Sequence, residues 1–239
     1  MEKARKLKIY IGLFYVTIVG FFLYFLFSKF SLQEIISYDF IKNNRNYFFE
    51  LKQSNLITLT IIFIFFTIIW VLAAGFGSPI AIFAGFIFGS WLGCLVAIIG
   101  LSIGSTLLYL FANFFFKDLI KEKFLNRFKN LEQKFKKAEF IYLLIFRFVG
   151  GIPFAIANVL PCIFNVKVFN FFGATFIGML PSLFIICSIG SGIEKIIDQN
   201  LEAPTMLEII STKDVYIPLI VFTILILITI FLRRFFYNK

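Results

Sequence analysis

The sequence predicts an all-α integral membrane protein, with four transmembrane helices plus two opposed re-entrant helical hairpins in an inverted repeat. Three observations carry this prediction. Hydrophobic residues make up 60% of the 239 residues and charged ones 15%, with a mean hydropathy of +0.94, whereas soluble domains carry charge on about a quarter of their residues. Residues 53–116 contain no Asp, Glu, Lys or Arg, far more than the roughly 20 apolar residues one membrane span needs. The basic residues gather in segments that separate the apolar runs. The length fits one compact transmembrane domain.

The first apolar run, 9–27, follows Lys3, Arg5, Lys6 and Lys8, opposed only by Glu2, so it is expected to cross outward from the cytoplasm. It is long for a signal-peptide core, and the Ser28-Lys29-Phe30 that follows does not look cleavable. The mixed stretch 30–52 reads as an interfacial helix with Tyr38, Tyr47 and Phe48 at headgroup depth. Residues 1–54 thus form an N-terminal transmembrane helix and interfacial segment, and 55–195 form the main membrane domain. Residues 196–239 form an outer loop and a C-terminal transmembrane helix.

Charge sets the threading. Segment 117–139 holds eight basic residues against four acids, and the tail carries Arg233, Arg234 and Lys239. Both belong inside, with both termini cytoplasmic at a cell (inner) membrane. The 190–214 loop, with two basic residues against five acids, suits the outer face. An odd number of crossings must therefore lie in 55–116. Residues 55–90 are expected to enter and leave on the outer side as a hairpin turning at Gly75-Phe76-Gly77-Ser78-Pro79, and 91–116 to cross inward. The alternative, in which 55–74 spans fully, stays open. In the second half, 140–149 reaches only about 15 Å. It meets Gly150-Gly151-Ile152-Pro153 and returns as 154–165. Residues 168–189 then cross outward and 215–232 cross back.

The two hairpins share a signature. Gly77-Ser78-Pro79-Ile80-Ala81-Ile82 and Gly151-Ile152-Pro153-Phe154-Ala155-Ile156 both read G-x-P-x-A-I. With opposite entry sides this suggests an inverted repeat, whose broken helices place substrate sites near the midplane.

Several chemistries are excluded. The chain has no histidine, which removes His-based triads, HExxH zinc sites and haem ligation. No nucleophile–base pair or metal cluster is visible, so no enzyme activity, cofactor or metal is expected. Cys94, Cys162 and Cys187 read as buried thiols. The net charge of +10 follows the positive-inside bias rather than nucleic-acid binding.

Arg147 stands out because it is the one formal charge between Phe140 and Val166. Such an arginine is expensive in a membrane unless paired or wet, and its guanidinium forks well onto phosphate oxygens. It either contacts a lipid headgroup, or caps carbonyls at the hairpin tip, or snorkels to the interface. Asn158, assigned with it to substrate binding, and Asn113 and Thr175 also read as interhelical hydrogen-bonding groups. Lys167 reads as an interfacial snorkel. Gly77, Pro79, Gly151 and Pro153 are assigned to hairpin geometry. Gly85, Gly89 and Gly93 are assigned to close helix packing, and Gly100 and Gly104 share their spacing. The basic linker 117–137, with Phe124, Phe128 and Phe135 among its lysines, reads as an amphipathic helix on the anionic inner leaflet. The 37 phenylalanines are lipid-facing bulk.

The run Pro79-Ile80-Ala81-Ile82-Phe83-Ala84-Gly85-Phe86-Ile87-Phe88-Gly89-Ser90-Trp91-Leu92-Gly93, followed by Gly100 and Gly104, resembles the DedA/VTT superfamily, the SNARE-associated Golgi proteins. Within it the chain looks most like the branch of a Golgi vesicle protein and its bacterial relatives. Phe146-Arg147, Pro153-Phe154, Asn158, Thr175-x-x-Gly178-x-x-Pro181 and Gly190 agree, so the resemblance covers roughly 56–195. It implies opposed re-entrant hairpins, packing or hairpin roles for Gly178 and Pro181, and movement of membrane lipids such as anionic phospholipid or polyprenyl phosphate. A non-transporting scaffold or assembly factor is the other reading. The chain departs from the family where R-x-x-P-x-x-P carries Gly150 in place of the first proline. It also carries Asn113 where a basic residue is common, and lacks the carboxylate of DedA members in the first hairpin. These departures favour passive exchange over a proton-driven pump.

Overall fold

The computed structural model describes residues 2–29, 38–149, 152–199 and 205–224. Its helices are α1 (Glu2–Lys29), α2 (Tyr38–Ser54), α3 (Leu56–Leu72), α4 (Gly77–Phe88), α5 (Ser90–Lys137), α6 (Glu139–Val149), α7 (Phe154–Val159), α8 (Val168–Asp198) and α9 (Met206–Ser211). A 3-10 turn, Leu160–Phe164, extends α7, and residues 213–224 form a further helix, α10. No strand occurs among the described residues.

Ser90–Phe115 and Val168–Asp198 are long and apolar enough to cross a membrane. The α2–α3 pair would make a third candidate span, but it bends by 118° at Asn55. There Asn55 accepts a hydrogen bond from the Thr58 amide at 3.1 Å and caps the new helix. The coarse class is therefore all-helical with two to three candidate spans. The first expected crossing coincides with the shorter apolar helix Ile9–Phe25, and the last, 215–232, runs beyond the described residues.

Two boundaries differ from expectation. The basic linker is not a separate helix: its backbone continues α5 as far as Lys137. Likewise α8 runs through the start of the expected outer loop to Asp198, with Ile196 and Ile197 buried. At the first hairpin tip the left-handed position falls on Ala74 (φ 59°) rather than on a glycine. Gly75 is needed for a steric reason: a Cβ there would overlap the indole of Trp70, which donates to the Phe76 carbonyl at 2.8 Å.

The chain divides into two compact units. Unit 1 comprises Met1–Gly77 and Ile98–Met179. In it the Tyr15 hydroxyl of α1 donates to the Leu72 carbonyl, and its ring stacks on Phe111 at 4.0 Å. Helix α3 lies against α5 where Gly100 faces Thr67 and Gly104 faces Val71; a Cβ at either glycine would come within 2.8 Å of the opposing side chain. Its core gathers Tyr109, Ala112, Leu143, Cys162, Val166 and Phe171.

Unit 2 comprises Ser78–Ala97 and Leu180–Lys239. Here α4 crosses α8 backbone to backbone: Gly85 lies against the Cys187 carbonyl and Gly190 against the Ile82 carbonyl. Gly93 closes the α4–α5 turn, since a Cβ there would sit 2.5 Å from the Ala84 carbonyl. Without a hydrophobic drive between membrane helices, such close approach supplies dispersion contact instead. Gly89 departs from the packing expectation. It has φ +82° with open space where a Cβ would lie, so it makes the sharp bend between α4 and α5.

Gly85→Ala is expected to destabilise the detergent-solubilised protein by about 1–3 kcal/mol through overpacking. Gly20→Ala, with nothing within 4 Å of the added carbon, should stay within about 0.5 kcal/mol of the parent. Thermal unfolding of both variants checks the contrast.

Candidate functional site

The site grows from the last turns of the short helix α6. Glu139 caps that end of the unit by accepting a hydrogen bond from the Lys167 amide, and Leu143 packs into the core. One turn on from Leu143, the same face carries Arg147, which is only 7% exposed. Its burial does not fit a snorkel to the interface. The Arg147 Nε donates to Thr175 Oγ1 of α8 at 3.1 Å, and Nη2 donates to Asn158 Oδ1 of α7 at 2.7 Å. The guanidinium carbon also lies 5.1 Å from the Phe171 ring centroid and 5.9 Å from that of Phe154, a cation–π cradle.

Arg147 and Asn158, assigned together to substrate binding, therefore meet Thr175 in one buried cluster. The T-x-x-G spacing explains how. Thr175 and Gly178 share one face of α8, so Thr175 offers its hydroxyl while Gly178 admits α6 closely. A Cβ at Gly178 would come within 2.8 Å of the Arg147 Cβ and 2.9 Å of the Leu144 carbonyl. Behind the cluster, Tyr109 stacks on Phe171 at 4.6 Å and donates its hydroxyl to the Val166 carbonyl at 2.6 Å. Cys162, a structural thiol, donates to the Tyr109 carbonyl at 3.5 Å.

The electrostatics are unbalanced. Among the described residues no carboxylate pairs with Arg147; its charge is met by neutral dipoles and ring faces. The Asn158 Nδ2 is buried with no hydrogen-bond acceptor among the described residues. A buried cation with an unused amide donor beside it can recognise an anion bearing several acceptor oxygens.

Sequence reasoning missed a second feature. Ser102, Thr106, Tyr109 and Asn113 recur at spacings of three and four along one face of α5. Ser102 Oγ, the adjacent Ser105 Oγ and Asn113 Oδ1 are buried without a hydrogen-bond partner among the described residues. Thr106 uses its hydroxyl locally, on the Ser102 carbonyl at 2.7 Å. Hydroxyls at helical spacing inside an uncharged run were the available signal.

The remaining candidates fall elsewhere. Gly77 is buried in ordinary contact with Phe154 and Leu101, and Pro79 is exposed in the first turn of α4. Pro153 directly precedes α7 with extended ψ 133°, and Pro181 lies inside α8. Gly85 and Gly93 are the packing contacts of unit 2. Gly151 lies outside the described residues. Lys167 is exposed at the segment joining the 3-10 turn to α8.

Long uncharged helices, a helix–turn–helix on glycine and a buried arginine define a helical membrane protein of polar-cored type. Residues 76–192 match the family model described as the VTT domain. These residues therefore carry a VTT domain. The chain is also 28% identical over 114 residues to the uncharacterized protein YqeD of Bacillus subtilis (strain 168), covering 47% of this chain and 55% of that protein. The chain thus spans about half the length of that curated relative. No solved structure matches it.

The cluster should behave as a unit under mutation. Asn158→Leu strands a buried cation and is expected to destabilise by about 3–5 kcal/mol. Arg147→Leu with Asn158→Leu should cost less than the sum of the two single changes, with a coupling of about 0.5–3 kcal/mol. Chemical unfolding of the four proteins in detergent measures it.

Proposed function

We propose that this chain is a non-enzymatic lipid transporter or scramblase that moves phosphate-headgroup lipids between leaflets. Arg147 and Asn158 are its headgroup contacts. The observation that carries this reading is the buried Arg147, held by Asn158 and Thr175 and, among the described residues, by no carboxylate. A passing phosphate supplies the missing anion and an acceptor for the Asn158 amide. The buried hydroxyl face of α5 supports it too, since unpartnered polar atoms in a membrane domain fit a wet or headgroup-lined route. The match to the VTT domain over residues 76–192, with the lipid movement that the sequence resemblance implies, supports the lipid class.

In this proposal the polypeptide makes four crossings and two opposed re-entrant hairpins at a cell membrane, with both termini cytoplasmic. The partners are anionic phospholipid or polyprenyl phosphate. The uncharged stretch 53–116 favours passive exchange over proton coupling. A second reading, a non-transporting scaffold, draws on the fact that the Arg147 donors already hold protein acceptors.

A dithionite-quench assay on vesicles with fluorescent phospholipid or polyprenyl phosphate separates the two. Arg147→Lys, which keeps the charge and loses the fork, is expected to slow flux by about tenfold, the worth of one charge-assisted hydrogen bond. Flux from the parent no greater than from empty vesicles would favour the scaffold. Orientation is tested by Ser78→Cys, because the three native thiols are buried and Ser78 is exposed. Impermeant maleimide should label it from outside, and labelling only from the cytoplasmic side sinks the first hairpin.

A further inference from the structure

Unit 2 contains a groove of about 1000 Å³ between α8, the start of α5 and α10. That is the upper end of the range for small-ligand sites. Two prolines help form it: Pro181 inside α8 and Pro218 inside α10 both line it. A proline within a helix removes a backbone hydrogen bond and crowds the preceding turn, so the two helices do not close on each other there. They are joined instead at one end, where Lys195 pairs with Asp214 and Gly192 faces Thr212 and Val215.

The lining changes character along its length. At one end Trp91, 78% exposed, packs on Phe184 with ring centroids 4.6 Å apart. Along the same face of α8 follow Ser188, Ser191 and Lys195, and Lys213 and Asp214 complete the mouth. Phe184 to Lys195 spans about 16 Å at 1.5 Å per residue, about half of a bilayer hydrocarbon core of roughly 30 Å. That length matches the depth of one leaflet, and the groove's lining is apolar at the Trp91 end and polar at the Lys195 end. Its charged lining is Lys195 and Lys213 against Asp214, a net of one positive charge.

We infer that this groove seats one anionic phospholipid from a single leaflet, its acyl chain against Trp91 and Phe184 and its phosphate at Lys213 beside the Lys195–Asp214 pair. This site is separate from the Arg147 cluster and does not depend on the chain moving lipids.

Trp91 is a built-in reporter, because the chain has two tryptophans and Trp70→Phe leaves it alone. The full chain goes into phosphatidylcholine vesicles doped with acyl-brominated phosphatidylglycerol or, separately, acyl-brominated phosphatidylcholine. The expected result is a roughly fivefold preference of quenching for the anionic lipid, as for one net cation near a membrane surface. Lys213→Gln should abolish that preference while leaving the ion pair intact. Equal quenching by both lipids means that Trp91 meets only annular lipid, and no quenching means that the groove is closed to lipid; either overturns the inference. So does a preference that survives Lys213→Gln. Should Trp70→Phe fail to fold, native mass spectrometry of the parent and Lys213→Gln, each with mixed lipids, reads the same preference. Flux is not part of the readout, so the inference and the transport proposal fail separately.

Discussion

A guanidinium held away from water, in a stretch with no other formal charge, is the constraint around which unit 1 is arranged. An unpaired charge in a membrane interior carries a penalty of several kcal/mol, and among the described residues Arg147 is met with polar dipoles rather than with an acid. Its two acceptors come from different helices, Asn158 on α7 and Thr175 on α8. That requirement sets the register of α6 against α8 and brings α7 beside α6. Gly178 belongs to the same solution, since any side chain there would push α8 away from Leu144 and Arg147. Phe171 then serves twice, as a ring under the cation and as the stacking partner of Tyr109.

Unit 2 meets the other problem of membrane folding, cohesion without a hydrophobic effect between helices, by backbone contact. The reciprocal placement of Gly85 on Cys187 and Gly190 on Ile82 makes the α4–α8 crossing closer than any side chain would allow. The two prolines act in the opposite sense and leave a groove where α8 and α10 part. Close crossing and deliberate gap thus come from residue types that are both poor helix formers in water. In a membrane, where backbone groups must bond internally, small and bent positions are tolerated because neighbouring elements cover them.

Much of this was legible from residue order. The lack of charge over 53–116 marks a membrane chain, and the turn expected at 75–79 overlaps the observed break at 73–76. Arg147, Asn158 and Thr175 could each be singled out as polar groups in apolar runs. Their meeting could not, because Thr175 lies 28 residues from Arg147 and sequence spacing says nothing about which helix faces which. Gly89 looked like one more packing glycine, since φ is set by the chain path between two helices. The hydroxyls of α5 passed unnoticed because serine and threonine in a membrane helix usually bond their own backbone.

Sequence alone determined that the chain is helical and membrane-embedded, where its helices turn, and which few polar side chains would be costly to bury. These follow from local chemistry: hydropathy, charge counts and the backbone limits of glycine and proline. Tertiary structure decided that the linker extends α5, that Arg147 bonds across to α7 and α8 instead of reaching the interface, and that two prolines open a groove. Those outcomes depend on contacts between residues distant in the chain, where the free energy of one side chain is settled by the elements that happen to surround it.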